Sequence, residues 1–130
     1  MEKKVVLSKK ITEEDIKKFI EISGDNNPIH TDENFAKKTI FKKPIAHGLI
    51  SASLISAGLT KLMGEGNIWL TQDLKFEKPV YVGDEISANL KIIEIDSRNV
   101  YKIETILRNQ NGKIVISGFA ECKVFPVRKT

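Results

Sequence analysis

The run from Leu49 to Met63 leaves the fewest options to the rest of the chain. Leu49, Ile50, Ala52, Leu54, Ile55, Ala57, Leu59, Leu62 and Met63 cover nearly every face of a helix. The polar positions between them are small: Ser51, Ser53, Ser56 and Thr60. A helix apolar almost all round is buried on most sides. At 1.5 Å per residue it spans roughly 20–24 Å, too short to cross a bilayer. It is therefore a core helix, ended by Gly64-Glu65-Gly66, and something else in the chain must wrap it.

The C-terminal half supplies the wrapping. Ile68 to Phe76 alternates in part (Trp69, Leu74, Phe76), and after Pro79 the strand pattern continues through Val80-Tyr81-Val82. Ile86 to Ile95 alternates through Ala88, Leu90 and Ile92. Val100 to Leu107 places Tyr101, Ile103, Thr105 and Leu107 on one face, and Asn109 to Gly112 is a hairpin signal. Lys113 to Val127 is a last long strand, with Ile114, Ile116, Gly118, Ala120, Cys122 and Val124 on one side. Long antiparallel strands after one buried helix make an α+β domain whose curved sheet surrounds that helix.

The N-terminal part is shorter in its elements. Lys3 to Leu7 reads as a strand, and Thr12 with Asp15 as a capping box opening a helix through Ile16, Phe19, Ile20 and Ser23. Thr31-Asp32 caps a short helix expected to bury Phe35 and Ala36, and Pro44 stops it from continuing. With 41% hydrophobic residues in 130, and no repeat or linker, residues 1–130 form one domain. The lone Cys122 permits no internal disulfide, reads as a small buried hydrophobe, and fits a reducing, cytoplasmic setting. The apolar run near Met1 is too short for a signal peptide or a membrane span. A net charge of +4 spread over interleaved lysines and acids implies no nucleic-acid partner and no membrane. It gives at most a mild attraction for anions.

Chemistry concentrates in Ser23-Gly24-Asp25-Asn26-Asn27-Pro28-Ile29-His30. The residue before a proline is pushed out of the α region, so Asn27 is extended and the preceding helix ends near Gly24. On an unbroken helix Asp25 and His30, five apart, would point to nearly opposite sides. A turn around Asn26 to Pro28 folds the two side chains back toward one point. Alone, Asp25 reads as a turn residue and His30 as a packed or surface histidine; their combination is what suggests acid–base chemistry. Asn27 is mainly an elbow former, with a further role in fixing the imidazole. His47 reads as a loop or capping residue. Two histidines and scattered acids give no metal-ligand spacing, so no metal is implied.

These residues resemble a known signature. Ser23-Gly24-Asp25-x-Asn27-Pro28-Ile29-His30 with Ala36, then Lys43-Pro44-Ile45-Ala46-His47-Gly48, then Ser53-Leu54 and Ser56, resemble the MaoC-like (R)-specific enoyl-CoA hydratases. Phe76-x-x-Pro79-Val80-Tyr81-Val82-Gly83-Asp84-Glu85 extends the likeness over nearly the whole chain. The resemblance implies a hot-dog fold and a homodimer. It also implies reversible hydration of trans-2-enoyl-CoA to (R)-3-hydroxyacyl-CoA without a cofactor, coenzyme A being part of the substrate. By the same resemblance Asp25 and His30 are the catalytic pair, the Gly48 N–H is the oxyanion donor, and Ser56 is a polar contact on the pocket wall. Leu59, one turn beyond Ser56, is the expected floor for the acyl chain.

Other readings share this shape: a dehydratase acting on acyl carrier protein, a hot-dog thioesterase, or a non-catalytic acyl-CoA-binding module. A thioesterase, or the dehydratase type that pairs a histidine with a helix carboxylate, takes an acid from the central helix. Here the only charged residue from Leu49 to Met63 is Lys61. A binding module would need neither Asp25 nor His30.

Overall fold

The computed structural model describes residues 3–128; Met1 and Glu2, part of the amino-terminal stretch considered above, lie outside the described residues. Lys4–Lys10 forms strand β1, three residues longer at its end than the apolar pattern indicates. Pairing with the following partner strand carries it on to Lys10, and an edge position tolerates the polar Ser8, Lys9 and Lys10. Helix α1 spans Glu13–Ser23 and opens on the expected capping box. The Thr12 hydroxyl accepts the Asp15 N–H (3.2 Å), and the Asp15 carboxylate accepts the Thr12 N–H (2.9 Å). Helix α2 is only Glu33–Lys37, capped by the Asp32 carboxylate. Its Ala36 is buried, but Phe35 is 45% exposed. Adjacent helical residues lie about 100° apart, so so short a helix buries one of the two and not both.

Helix α3, Gly48–Met63, is the central element. Five further strands follow: β2 (Asn67–Gln72), β3 (Lys75–Phe76), β4 (Glu85–Ile95), β5 (Tyr101–Arg108) and β6 (Ile114–Val124). They join β1 in one antiparallel sheet of order β1-β4-β5-β6-β2, with β3 also on β6. The inward faces of β4, β5 and β6 are the expected ones: Ala88 and Leu90, Ile103, Thr105 and Leu107, and Ile116, Ala120 and Cys122 are all at most 1% exposed. They close on Ile55, Leu59 and Leu62 of α3 to make one core. Close approach requires Gly58, where a Cβ would stand 2.8 Å from Leu90 and 2.9 Å from Leu7. This curved sheet around one helix is the hot-dog arrangement. No helix among the described residues is long and apolar enough to cross a membrane.

Three expectations need correction. Ile68 to Phe76 is two strands, because Asp73 leaves the ladder between them. Its N–H and its carboxylate both bond the backbone of Phe119 (3.0 Å each), in space that Gly118 leaves open. Val80 to Val82 is not a strand. Pro79 has no N–H to give, Asp84 takes the Tyr81 N–H (2.9 Å), and Gly83 turns the chain at φ +97°, so only an isolated bridge of Tyr81 to Ile45 remains. Leu59 faces the sheet and is 1% exposed, so it belongs to the core and not to a pocket floor.

Candidate active site

The site lies where the end of α1, the turn after it and the start of α3 meet. α1 stops at Gly24, whose φ of +74° suits glycine and whose N–H closes on the Ile20 carbonyl (2.8 Å). The chain then descends through successive side-chain turns. The Asp25 N–H donates to Ser23 Oγ (3.1 Å), the Asn27 N–H to Asp25 Oδ1 (3.2 Å), and the Ile29 N–H to Asn27 Oδ1 (3.2 Å). Asn27, with ψ 126°, is held out of the helical region by Pro28, and Pro28–His30 makes a single 3-10 turn. Its last N–H, that of His30, returns to the Asn27 carbonyl (3.0 Å). Asn27 thus holds the backbone of the elbow; the imidazole is fixed elsewhere.

That fixing point is the Ile45 carbonyl, 2.6 Å from His30 Nδ1. A carbonyl can only accept, so Nδ1 carries the proton and the Nε2 lone pair is left for another partner. Beneath His30 lies the second histidine. His47 occupies the N-cap position of α3, as expected, but its side chain makes no cap bond. It is 3% exposed, stacks on His30 with ring centroids 3.7 Å apart, and its Nε2 donates to the Asp25 carbonyl (2.9 Å). The sequence signal is only a histidine before the glycine of a helix start; residue type alone does not reveal which way such a ring turns.

Asp25, His30 and His47 each bring one side-chain oxygen or nitrogen to within 4.8 Å of the others, the one such group among the described residues. A metal ion needs lone pairs that converge. The imidazole lone pairs lie in the ring planes, and two rings stacked at 28° do not direct them at one point. Within that limit Asp25 and His30 are close enough to bind one water in common, since two hydrogen bonds of about 2.8 Å meeting at a tetrahedral angle span about 4.6 Å.

His30 lines three cavities. One of about 390 Å³ opens between α1 and Tyr81, with Lys17 and Lys43 on its walls. The others, about 330 and 280 Å³, both border Gly48 and Phe76, and the smaller also reaches Asp25 and His47. Gly48 begins α3, and its N–H meets no protein acceptor among the described residues. A Cβ on Gly48 would stand 2.4 Å from the Phe76 ring, so the missing side chain is what lets that ring lie over the helix start. Phe76 was placed in a strand from its pattern, with nothing to mark it as a wall of the site. Asp25, His30 and Gly48 therefore come together. Ser56 does not join them: it is exposed on the outer face of α3 with Leu49, Ser53 and Thr60, and lines none of the three cavities.

Comparison with known proteins identifies the family and the fold. The family model described as the MaoC like domain matches residues 1–112. The chain is 40% identical over 119 residues to an (R)-specific enoyl-CoA hydratase of Rhodospirillum rubrum, covering 91% of this chain and 83% of the relative. It is 33% identical over 111 residues to a mitochondrial 3-hydroxyacyl-acyl-carrier-protein dehydratase of Arabidopsis thaliana, covering 82% and 66%. Among solved structures, the (R)-hydratase from Aeromonas caviae involved in PHA biosynthesis superposes with a TM-score of 0.89 at 36% identity, covering 94% of each chain.

Proposed function

The chain belongs to the MaoC-like domain family, and from that premise we propose that it is a hydro-lyase, hydrating trans-2-enoyl-CoA to (R)-3-hydroxyacyl-CoA and reversing the reaction. The observation that carries the reading is the approach of the Asp25 carboxylate and the His30 imidazole to within 4.8 Å, close enough to hold one water in common, beside an unpaired helix-start N–H. His30 Nε2 takes a proton from that water as its oxygen bonds to C3 of the enoyl group. The C2–C3 π electrons move toward the thioester, and the Gly48 N–H, at the positive end of α3, receives the charge that develops on the carbonyl oxygen. Asp25, entering the cycle with its proton, orients the water and delivers that proton to C2; the proton taken up by His30 then passes back to Asp25, which restores both groups. Every step uses protein groups and water, so the reading requires no cofactor and no metal. In reverse, the same groups remove water from the 3-hydroxyacyl thioester.

The plant relative acts, by its name, on acyl carrier protein, and that likeness supports a second carrier for the same chemistry. Coenzyme A and acyl carrier protein present the same pantetheine arm. A thioesterase is the weaker reading, because α3 carries no carboxylate.

The working form in this proposal is a homodimer in a reducing, cytoplasmic setting. β2 is an edge strand whose Ile68, Trp69 and Leu70 are 49%, 39% and 46% exposed, a row of apolar side chains that a single copy leaves open. A second copy covering it would also approach the outer face of α3, where Ser56 sits.

Crotonyl-CoA tests the reading. Hydration removes the conjugated enoyl absorbance, releases no thiol and yields an (R) product by chiral analysis. Thiol release without prior loss of that absorbance would establish hydrolysis instead, and no change in either signal would refute catalysis on this substrate class.

A further inference from the structure

We propose that His47 is a positioning residue that sets Asp25 and His30 in register from beneath, an inference that rests on the hydration reading above. Three contacts meet on its side chain, with the Asp25 carbonyl, the His30 ring and the Phe19 ring, and its backbone adds a fourth tie. Its Nε2–H holds the Asp25 carbonyl at 2.9 Å, which fixes the backbone of the catalytic acid. Its ring lies against the His30 ring at 3.7 Å, so the base is clamped between a face contact below and the Ile45 carbonyl at its edge. Its own carbonyl accepts the Ile50 N–H (3.1 Å), which ties it to the first turn of α3 beside Gly48. The ring also tilts against Phe19 of α1 at 4.7 Å, which restricts it further.

The tautomer follows from the partners. Donation to a carbonyl puts the proton of His47 on Nε2, whereas His30 carries its proton on Nδ1. The remaining His47 Nδ1 is buried and unpartnered, and so is Ser51 Oγ one turn further along α3. A residue kept only for packing would not need a ring nitrogen here, since a phenyl ring fills nearly the same volume.

Two substitutions separate the two contacts. His47→Phe keeps the ring against His30 and loses the donor to Asp25; His47→Gln keeps an amide donor near the Nε2 position and loses the ring. In folded variants, checked by circular dichroism and thermal melting, each lowers kcat for crotonyl-CoA hydration, by about 10²-fold if the loss displaces a reacting group by about 1 Å, with KM little changed. A normal kcat in both variants, with wild-type hydration intact, overturns the proposal and leaves the hydratase reading standing. If wild-type protein fails to hydrate any enoyl thioester, it is that reading which falls. Imidazole nitrogen NMR on the unaltered protein gives a readout independent of turnover and of variant folding: opposite tautomers are expected for His30 and His47, and a shared tautomer contradicts the assignment.

Discussion

The Ile45 carbonyl accepts the Nδ1 proton of His30 across 2.6 Å and thereby decides which nitrogen of that imidazole keeps its lone pair. Ile45 can do this because the segment before α3 is tied on both sides. Its N–H returns to the Ile29 carbonyl (3.1 Å), and the next N–H, of Ala46, goes to Val80 (2.7 Å). The tautomer of His30 is thus set by backbone groups that no single side-chain change removes.

It follows that Asp25 and His30 can be altered without loss of the fold. Asp25→Asn keeps an oxygen to accept the Asn27 N–H, so the elbow survives while the proton donor is lost. His30→Ala removes a half-buried ring at the edge of the core. Each variant should melt close to the unaltered protein and turn over crotonyl-CoA about 10²–10⁴-fold more slowly. Steady-state rates near normal in either variant would count against the assigned pair.

Gly48 separates a steric role from a chemical one. In Gly48→Ala the new methyl meets the Phe76 ring at 2.4 Å, so the ring or the helix start must shift, and both stability and activity should fall. Adding Phe76→Ala removes the obstacle. The double variant should recover much of the lost melting temperature but not the lost turnover, because the methyl still occupies the approach to the Gly48 N–H. Recovery of both would reduce Gly48 to a packing position, with Phe76→Ala alone as the control.

Local signals in the sequence located the elbow well. A glycine stop, two side-chain turns and a proline constrain each other within a few residues, so the path from Gly24 to His30 follows from nearest neighbours. The alternation in β4, β5 and β6 was equally legible, since one face of each is buried. What failed depended on packing, or on a nearby side chain that periodicity does not count. Phe35 and Leu59 were assigned by spacing to faces that the fold uses otherwise. Val80 to Val82 looks like a strand until Asp84 takes its backbone donor. His47 is the clearest case: its neighbour Gly48 was legible as a helix start, but its burial under His30 arises only when α1 and α3 pack together.

Cys122 offers a check on the sheet interior. The thiol is 0% exposed, and burial pushes its pKa from 9.0 up to about 11, with the Asn67 side chain pulling the other way and by less. A neutral thiol is therefore favoured by the fold. The stability this contributes is whole below pH 9 and is lost as pH rises from 9 through about 11. Denaturant midpoints should fall over that window more steeply for the unaltered protein than for Cys122→Ala. At pH 8 a thiol reagent should label Cys122 only at the rate of unfolding.

The open edge of β2 yields the last expectation. Its residues Ile68, Trp69 and Leu70 are apolar in succession, so both faces of the strand carry exposed hydrophobic surface, and its outer backbone groups have no partner strand in one copy. Pairing with the same strand of a second copy would satisfy both needs and bring each Leu70 toward its counterpart across the dyad. Leu70→Lys would then place like charges near one another in the interface without touching the core around α3. Sedimentation should show the unaltered protein as a dimer and Leu70→Lys as a folded monomer at micromolar concentration. A dimer that survives Leu70→Lys would place the contact on another face of the molecule.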